Sequence, residues 1–250
     1  MNKQVKIYFL SDFHLGAPDA ISSLEREKKI VQFLDQIKSS AEQVFLLGDM
    51  FDFWFEYKKV VPKGHVRILG KIAELTDAGI PVHFFTGNHD LWMKDYFEKE
   101  LHVQVYHKPT AFELHQKKFL IGHGDGLGPG DYGYKFMKKI FRNPLCQFLF
   151  SQIPPSMGIG MANYFSRKSR AKTGLSNEVF LGEENEWLII YAKDVLKLVH
   201  YDYFIFGHRH LPLDIQLNEN SRYINTGDWI NYFSYAEYDG TNLALKYHGK

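Results

Sequence analysis

Five short apolar runs in this sequence each end in a turn built from aspartate, asparagine or histidine. A short apolar run bounded by turn residues is typical of a buried β-strand. Because strands of this kind deliver their polar turns to one edge of a sheet, we expect the five turns to converge on a single crevice. The turns are Asp12-Phe13-His14, Gly48-Asp49, Gly87-Asn88-His89-Asp90, Gly122-His123 and Gly207-His208-Arg209-His210.

Each turn taken alone is weak evidence of a site, since Asp, Asn and Gly are also the ordinary residues of surface turns. Five such turns after five separate predicted strands are not expected by coincidence. In Asp12-Phe13-His14 and His208-Arg209-His210 the two ligand-type residues are separated by one residue, so in extended chain they point to the same side. Carboxylate and amide oxygens mixed with imidazoles favour manganese, iron or zinc over calcium. The sequence therefore predicts a metal site.

The remaining pattern predicts an α/β fold in which mixed sheets pack together with helices outside. Helices are expected at 23–38, where Ser22 and Glu25 form a capping-box pattern, and at 65–78 and 177–199. No repeat or linker divides the 250 residues, so we expect a single domain over 1–250. The predicted strands are 5–10, 44–47, 81–86, 103–106, 111–115, 118–122, 203–206, 213–217, 221–225 and 232–247.

Charge and cysteine content exclude several classes of protein. Lys and Arg number 30 against 29 Asp and Glu, and the net charge of +1 is not that of a nucleic-acid-binding chain. The single cysteine, Cys146, excludes an internal disulfide and a cysteine-based zinc cluster. No stretch reaches the roughly 18 apolar residues of a membrane-spanning helix, so we expect a soluble, cytoplasmic protein.

The five turns, in this order, resemble the motifs of the calcineurin-like metallophosphoesterases, which run Asp-x-His, Gly-Asp-x-x-Asp, Gly-Asn-His-Asp/Glu, Gly-His and Gly-His-x-His. The resemblance extends from residue 12 to residue 210. It implies an αββα sandwich of mixed sheets and two divalent metal ions, expected to be manganese. Asp12, His14 and His210 would bind one ion. The second would be bound by Asn88, His123 and His208, with Asp49 as the bridge between the two.

A site of this kind favours hydrolysis of phosphoesters or phosphoanhydrides, because two adjacent cations activate water and neutralise charge on phosphoryl oxygens. His89 follows a ligand but points away from it in the predicted turn. We therefore expect His89 to stabilise the transition state or to protonate the leaving group. Asp90 would orient His89, and Asp52 would support a ligand. Helix N-capping by Asp90 and Asp52 is an equal alternative.

Residues 133–172 differ in composition from the rest of the chain. They carry eight Lys or Arg and no Asp or Glu, which leaves −7 on the other 210 residues. They are also rich in Phe, Ile, Leu and Met, which predicts a basic, apolar helical insert over about 131–176 that would cover the site as a lid. Such a surface suits an anionic amphiphile or an anionic membrane surface. The alternative is a docked helical pair with solvated charges. The aliphatic content argues against nucleic acid.

Within the metallophosphoesterases, the chain resembles the UDP-2,3-diacylglucosamine hydrolases of lipid A biosynthesis. The matching features are Ser-Asp-x-His-Leu-Gly at 11–16, Gly-Asp-x-Phe-Asp-x-Trp at 48–54, the insert, and Thr-Gly-Asp-Trp at 226–229. The resemblance implies cleavage of UDP-2,3-diacylglucosamine to UMP and 2,3-diacylglucosamine 1-phosphate, with the acyl chains under the insert and the protein peripheral on the inner membrane. Phosphate and sugar contacts would come from Arg167, Lys168, Arg170 and Lys172.

One residue departs from this second resemblance, and two other functions stay open. The better-known members carry Arg where this chain has His89, which points to a divergent branch or a related substrate. A general phosphodiesterase or nucleotidase acting on a soluble substrate would need the same metal centre but no apolar insert. A non-catalytic binding module on the same fold is the third alternative, although such modules typically lose ligands that are all present here.

Overall fold

The computed structural model describes residues 5–130, 132–173 and 179–249, and at 167 and 169–173 it describes the backbone alone. The strands of this part of the chain are β1 (Lys6–Leu10), β2 (Ala41–Leu46), β3 (Val82–Phe85), β4 (Gln104–Tyr106), β5 (Thr110–Leu114), β6 (Lys117–Ile121), β7 (Tyr203–Phe206), β8 (Pro212–Asn218), β9 (Ser221–Thr226), β10 (Ser234–Tyr238) and β11 (Leu243–Tyr247). The helices are α1 (Ala20–Lys38), α2 (Val66–Asp77), α3 (Tyr96–Leu101), α4 (Tyr132–Phe141), α5 (Pro144–Ser151), α6 (Pro155–Thr173) and α7 (Trp187–Leu196).

The strands form two mixed sheets. The first has the order β11-β10-β1-β2-β3-β4, in which β1 to β4 run parallel and the hairpin of β10 and β11 adds antiparallel strands. The second has the order β5-β6-β7-β9-β8, with β6, β7 and β9 parallel. Parallel strands end at the same edge of a sheet, so the turns that follow β1, β2 and β3 lie side by side, as do those after β6 and β7.

Apolar side chains hold the two sheets face to face. Phe9 in the first sheet stacks on its neighbour Phe45, with ring centroids 5.0 Å apart, and on Phe119 of the second sheet at 6.1 Å. Each such side chain stabilises the fold by roughly 1.5–3 kcal/mol when fully buried. Helices α1 and α2 cover the outer face of the first sheet through buried residues such as Leu34 and Ile72, while α7 covers the second. The layers are therefore αββα, which confirms the predicted fold class.

The helical insert lies on the surface of this sandwich. None of the residues of α4 or α5 is buried. Phe150 of α5 anchors the insert, with its ring centroid 4.8 Å from those of both Phe55 and Trp92. The indole nitrogen of Trp92 donates a hydrogen bond to the carbonyl of Phe141 at the end of α4, at 2.6 Å. Within the described part of the chain, no helix combines the length and the apolarity needed to cross a membrane.

Several predicted boundaries were wrong, each for a physical reason. Helix α1 starts three residues earlier than expected, because Asp19 rather than Ser22 is the N-cap: its side chain accepts from the amides of Ile21 and Ser22 at 2.9 and 3.0 Å. The strand expected over 232–247 is a hairpin, since Asp239 accepts the amides of residues 241 and 242 in a tight turn. The short helix α3 was not expected.

The helix predicted over 177–199 is much shorter, because α7 spans only Trp187–Leu196. Residues 177 and 178 lie outside the described residues. The chain from 179 to 186 is not helical: Gly182 has a φ of +84°, and the side chain of Glu186 accepts the amide of Leu181 at 3.1 Å. The helical prediction is therefore wrong over 179–186, where a buried carboxylate organises an irregular loop.

Candidate metal centre

The five polar turns meet at one edge of the sandwich. The first two are joined by a hydrogen bond from the amide of Asp12 to the carbonyl of Gly48, at 3.0 Å. The last turn joins them through the amide of His208, which donates to Oδ2 of Asp12 at 2.9 Å. Glycines make this approach possible, since a Cβ at Gly48 would lie 2.7 Å from Nδ1 of His123 and one at Gly207 would lie 2.6 Å from Oδ2 of Asp12.

The backbone of these turns is strained. Five candidate ligands have left-handed φ angles between 43° and 70°, a region that non-glycine residues occupy at a cost of order 1–3 kcal/mol each. Strain of this kind persists only where the surrounding structure imposes it, and it concentrates at functional sites. The five residues are Asp12, His14, Asp49, His208 and His210.

A first cluster of ligand-type atoms brings together the turn after β1 and the turn after β7. Nε2 of His14 and Nε2 of His210 lie 3.0 Å apart. Oδ1 of Asp12 is 3.4 Å from Nε2 of His210 and 3.8 Å from Nε2 of His14. The structure thus brings together the three residues predicted to bind the first ion.

A second cluster contains Asn88, His123 and His208. Nε2 of His123 is 3.2 Å from Oδ1 of Asn88, and the rings of His123 and His208 meet edge to face at 5.0 Å. Oδ2 of Asp49 is 3.4 Å from Nε2 of His123 and 3.7 Å from Nε2 of His14 in the first cluster. Asp49 therefore lies between the two groups, in the position predicted for a bridging carboxylate.

The donor atoms of these residues fit two divalent cations. Oδ1 of Asp12 is buried and has no hydrogen-bond partner in the described part of the chain, although two imidazole nitrogens face it. Nδ1 of His123 donates to the carbonyl of Leu47 at 2.6 Å, so in the neutral ring Nε2 is an acceptor that faces the oxygens of Asn88 and Asp49. Converging acceptors repel one another unless a cation lies between them. The two clusters, with Asp49 between them, indicate a dinuclear site for divalent metal ions.

The neighbouring charges shift the pKa values of the candidate ligands. Burial would raise the pKa of Asp49, but the neighbouring histidines, His123 first, hold it well below its usual value. Burial would lower the pKa of His123 and of His14, but the carboxylates of Asp49 and Asp12 raise these two pKa values to about 10 and about 9. Burial and the charge of His123 lower the pKa of His208 to about 4. The carboxylates thus draw positive charge into the site, as protons or as metal ions.

Two carboxylates lie behind ligand imidazoles at ion-pair distance. Oδ2 of Asp228 is 3.4 Å from Nδ1 of His210, and Oδ1 of Asp52 is 3.7 Å from Nδ1 of His14. Such partners direct the opposite ring nitrogen of each histidine towards the ion. Support of a ligand was expected for Asp52, whereas Asp228 was noted only as part of the Thr-Gly-Asp-Trp tail.

Buried Arg26 of α1 holds the first turn and was missed from the sequence. Its guanidinium donates to the carbonyls of Phe13 and His14, each at 2.6 Å, and to that of Ala17. An arginine placed between Ser23 and Ile30 on the apolar face of a predicted helix is a signal that could have revealed it.

His89 lies at the centre, but Asp90 does not contact its ring. Nδ1 of His89 donates to the carbonyl of Asp52 at 3.0 Å, and the ring meets that of His14 edge to face at 4.8 Å. The carboxylate of Asp90 instead accepts the amides of Gly87 and Met50 at 2.7 and 2.8 Å. Its expected role in orienting His89 is therefore wrong, because the backbone of two turns occupies its oxygens. The alternative role as a helix N-cap is not seen either.

The helical insert also reaches His89. Oγ of Ser166 in α6 lies 3.1 Å from Nδ1 of His89. Of the four cations expected to contact substrate, Lys168 is an exposed residue of α6. The side chains of Arg167, Arg170 and Lys172 lie outside the described residues, so their contacts stay predictions.

Comparison with known proteins extends over nearly the whole chain. Residues 5–212, which include all five turns, match the model of the calcineurin-like phosphoesterase family. A Porphyromonas gingivalis protein named UDP-2,3-diacylglucosamine hydrolase is 42% identical over 254 residues, covering 96% of this chain and 97% of that protein. Proteins of the same name from Ectopseudomonas mendocina and Shewanella sp. strain W3-18-1 are 29% and 25% identical, covering 89% and 97% of this chain and 90% and 96% of their own.

Proposed function

The chain belongs to the calcineurin-like phosphoesterase family, and from that premise we propose that it hydrolyses the pyrophosphate of UDP-2,3-diacylglucosamine in lipid A biosynthesis. The products would be UMP and 2,3-diacylglucosamine 1-phosphate. The family makes the chain a metal-dependent hydrolase of phosphoester or phosphoanhydride bonds. The observation that carries the choice of substrate is 42% identity to a UDP-2,3-diacylglucosamine hydrolase over 96% of the chain.

The protein's own residues have separate tasks in this reaction. One cation would be held by Asp12, His14 and His210. The other would be held by Asn88, His123 and His208, and Asp49 would bind both cations. Two bound divalent cations supply activated water and neutralise the charge that develops on the phosphoryl oxygens. Imidazole, amide and carboxylate ligands without sulfur support manganese, with iron or zinc as alternatives.

His89 is proposed to act on the substrate through Nε2. Burial lowers the pKa of His89, and the carbonyl of Asp52 holds the proton on Nδ1. A substrate diphosphate brings negative charge, which favours the imidazolium form and lets Nε2 donate to a phosphoryl or leaving-group oxygen. Replacement of His89 by Gln should then lower kcat with metal content unchanged. An unchanged kcat would exclude His89 from the reaction.

The middle of the insert is proposed to bind the acyl chains and to meet the membrane. Residues 144–166 contain no charged side chain. Many of their apolar side chains are nevertheless exposed, Leu145, Phe148 and Met157 by 60–65%. Exposed apolar side chains gathered in one segment are typical of a lipid or interaction site. Basic residues that follow, Arg167, Lys168, Arg170 and Lys172, would contact the substrate phosphates and an anionic inner-membrane surface, with the protein peripheral on its cytoplasmic side.

A general phosphodiesterase or nucleotidase is the alternative that an experiment must separate. The manganese-loaded protein should be assayed on UDP-2,3-diacylglucosamine and on a small chromogenic phosphodiester. A kcat/KM at least about 100-fold higher on the acylated substrate would support the proposal, because only that substrate can use the insert for binding. Equal values on the two substrates would favour the general enzyme.

A further inference from the structure

A cavity of about 550 Å³ lies beside the metal centre, between the end of β3 and helix α4 of the insert. His123, one of the candidate ligands, forms part of its wall, so the cavity reaches the place where the reaction would occur. Its volume is within the range of roughly 300–1,000 Å³ that is usual for small-molecule sites. No step proposed above makes use of this cavity.

Helix α4 turns a row of cations towards this cavity. Lys135, Lys138 and Lys139 of the helix line it together with Arg142, which directly follows the helix, at the spacing that places side chains on one face. Lys108 lines it from the loop between β4 and β5. Together they make five cations in one small space.

Among the described residues that line the cavity, Asp125 is the one acidic residue. Its carboxylate already accepts from Nζ of Lys138 at 2.6 Å and from the hydroxyl of Tyr134. Arg142 donates to the neutral carbonyl of His107 at 2.6 Å, and no carboxylate of the described residues forms an ion pair with it. In the described part of the chain, Lys108 and Lys139 form no ion pair. The cavity is therefore suited to an anion.

The rest of the wall is apolar and partly aromatic. Phe85, Pro109, Leu127, Tyr132 and Phe136 line it beside the cations. Flat apolar surfaces next to fixed cations are what a nucleotide requires, since the base can stack on rings while the phosphate pairs with Lys or Arg. An acyl chain would gain nothing from five cations, and it has an uncharged surface available at 144–166.

We propose that this cation-lined cavity binds the nucleotide half of the substrate, with the base against Tyr132 and Phe136 and the phosphate facing Lys108 and Lys139. The acyl half would then lie on the other part of the insert, along 144–166. The insert would thus orient the substrate across the metal centre, because its cations at 135–142 are separate from its uncharged segment at 144–166. This inference rests on the proposed function and adds the direction in which the substrate lies.

The test is a titration of the manganese-loaded full chain with three probes: UMP, inorganic phosphate and 2,3-diacylglucosamine 1-phosphate. Lys108→Ser and Lys139→Ser should each raise the Kd for UMP about 10-fold, and the double variant about 100-fold, as expected for the loss of charge-assisted contacts. The Kd for the acylated sugar phosphate should change less than 3-fold. Tyr132→Ala should raise the Kd for UMP about 10-fold and leave that for inorganic phosphate unchanged. Lys63→Ser removes an exposed lysine outside the cavity and should change none of the three.

An unchanged Kd for UMP in the double variant, or equal losses for UMP and for the acylated sugar phosphate, would overturn the inference. So would a wild-type chain that does not bind UMP. Failure of the proposed function is a separate result, namely a wild-type chain that hydrolyses a chromogenic diester but not UDP-2,3-diacylglucosamine. Because the titrations need no turnover, they decide the place of the nucleotide in either case.

Discussion

Arg209 and Glu186 form a fully buried ion pair with two parallel contacts, Nε to Oε2 at 2.9 Å and Nη2 to Oε1 at 2.8 Å. Arg209 is the residue between His208 and His210, and Glu186 directly precedes α7. The guanidinium also lies 4.6 Å from the ring of Trp187. The pair therefore ties the turn that carries two candidate ligands to the segment where the chain returns from the insert.

Loss of Glu186 should destabilise the fold strongly. In Glu186→Ala the buried guanidinium loses both contacts with this carboxylate, which we expect to lower the free energy of unfolding by about 3–5 kcal/mol. The matched control is Glu183→Ala, which breaks a surface pair with Lys193 (3.0 Å) and should cost less than about 1 kcal/mol. Urea unfolding of the metal-free proteins measures both. Similar losses of unfolding free energy in the two variants would show that the buried pair stabilises the fold no more than the surface pair does.

Asp49→Asn should separate folding from metal binding. Asp49 has a φ of 53°, a conformation that asparagine tolerates, so the turn should persist while the bridging charge is lost. We expect fewer than two metal ions per chain and a fall in turnover of roughly 1,000-fold, since metal contacts contribute several kcal/mol to the transition state. Plasma mass spectrometry counts the ions, and Asp214→Asn, which alters a surface pair with Arg222, is the control. Two ions in an active Asp49→Asn protein would refute the dinuclear assignment.

Stability should fall in mild acid because of His83 on β3. Burial lowers the pKa of His83 from 6.5 to about 4. Between these two pH values the unfolded chain binds a proton at His83 and the folded chain does not, so the free energy of unfolding decreases as pH falls through this window. His83→Gln should flatten that part of the pH dependence, whereas His200→Gln, at an exposed position, should leave it intact. A profile that is the same in wild type and His83→Gln would contradict the assignment.

An acidic substitution on the exposed face of α5 should lower activity on the acylated substrate and leave activity on a small substrate nearly unchanged. Phe148 is 60% exposed, so Phe148→Asp should not unfold the protein. Loss of one buried aromatic contact with an acyl chain should lower kcat/KM on the diacylated substrate about 10-fold or more and weaken binding to phosphatidylglycerol vesicles. Activity on a small diester should stay within 2-fold. Ile21→Asp, at a position 78% exposed on α1, is the control. Equal losses on both substrates would mean that the insert supports the fold instead.

The sequence allowed the ligand-type residues and the fold class to be predicted because both depend on local patterns. Asp12, His14, Asp49 and His123 each lie within four residues of the end of an apolar run, and a short motif is sufficient to locate them. The convergence of the turns follows from parallel strands that end at one edge.

What the sequence did not reveal depends on contacts between distant residues. Asp90 reads as a partner of adjacent His89, but its carboxylate accepts the amide of Met50, 40 residues earlier. Glu186 looks like part of a long helix until Arg209 is seen beside it. The insert reads as one basic, apolar segment, and only the structure shows that the cations of 135–142 line a cavity beside the metal centre. Such pairings are set by the fold as a whole.

Identification of the products tests the central claim most directly. The manganese-loaded wild-type protein should be incubated with UDP-2,3-diacylglucosamine in heavy-oxygen water and the products analysed by mass spectrometry. Attack of water on phosphorus predicts equal amounts of UMP and 2,3-diacylglucosamine 1-phosphate, with one heavy oxygen on a product phosphate, expected on UMP. The absence of UMP, or label on the sugar carbon, would contradict the account.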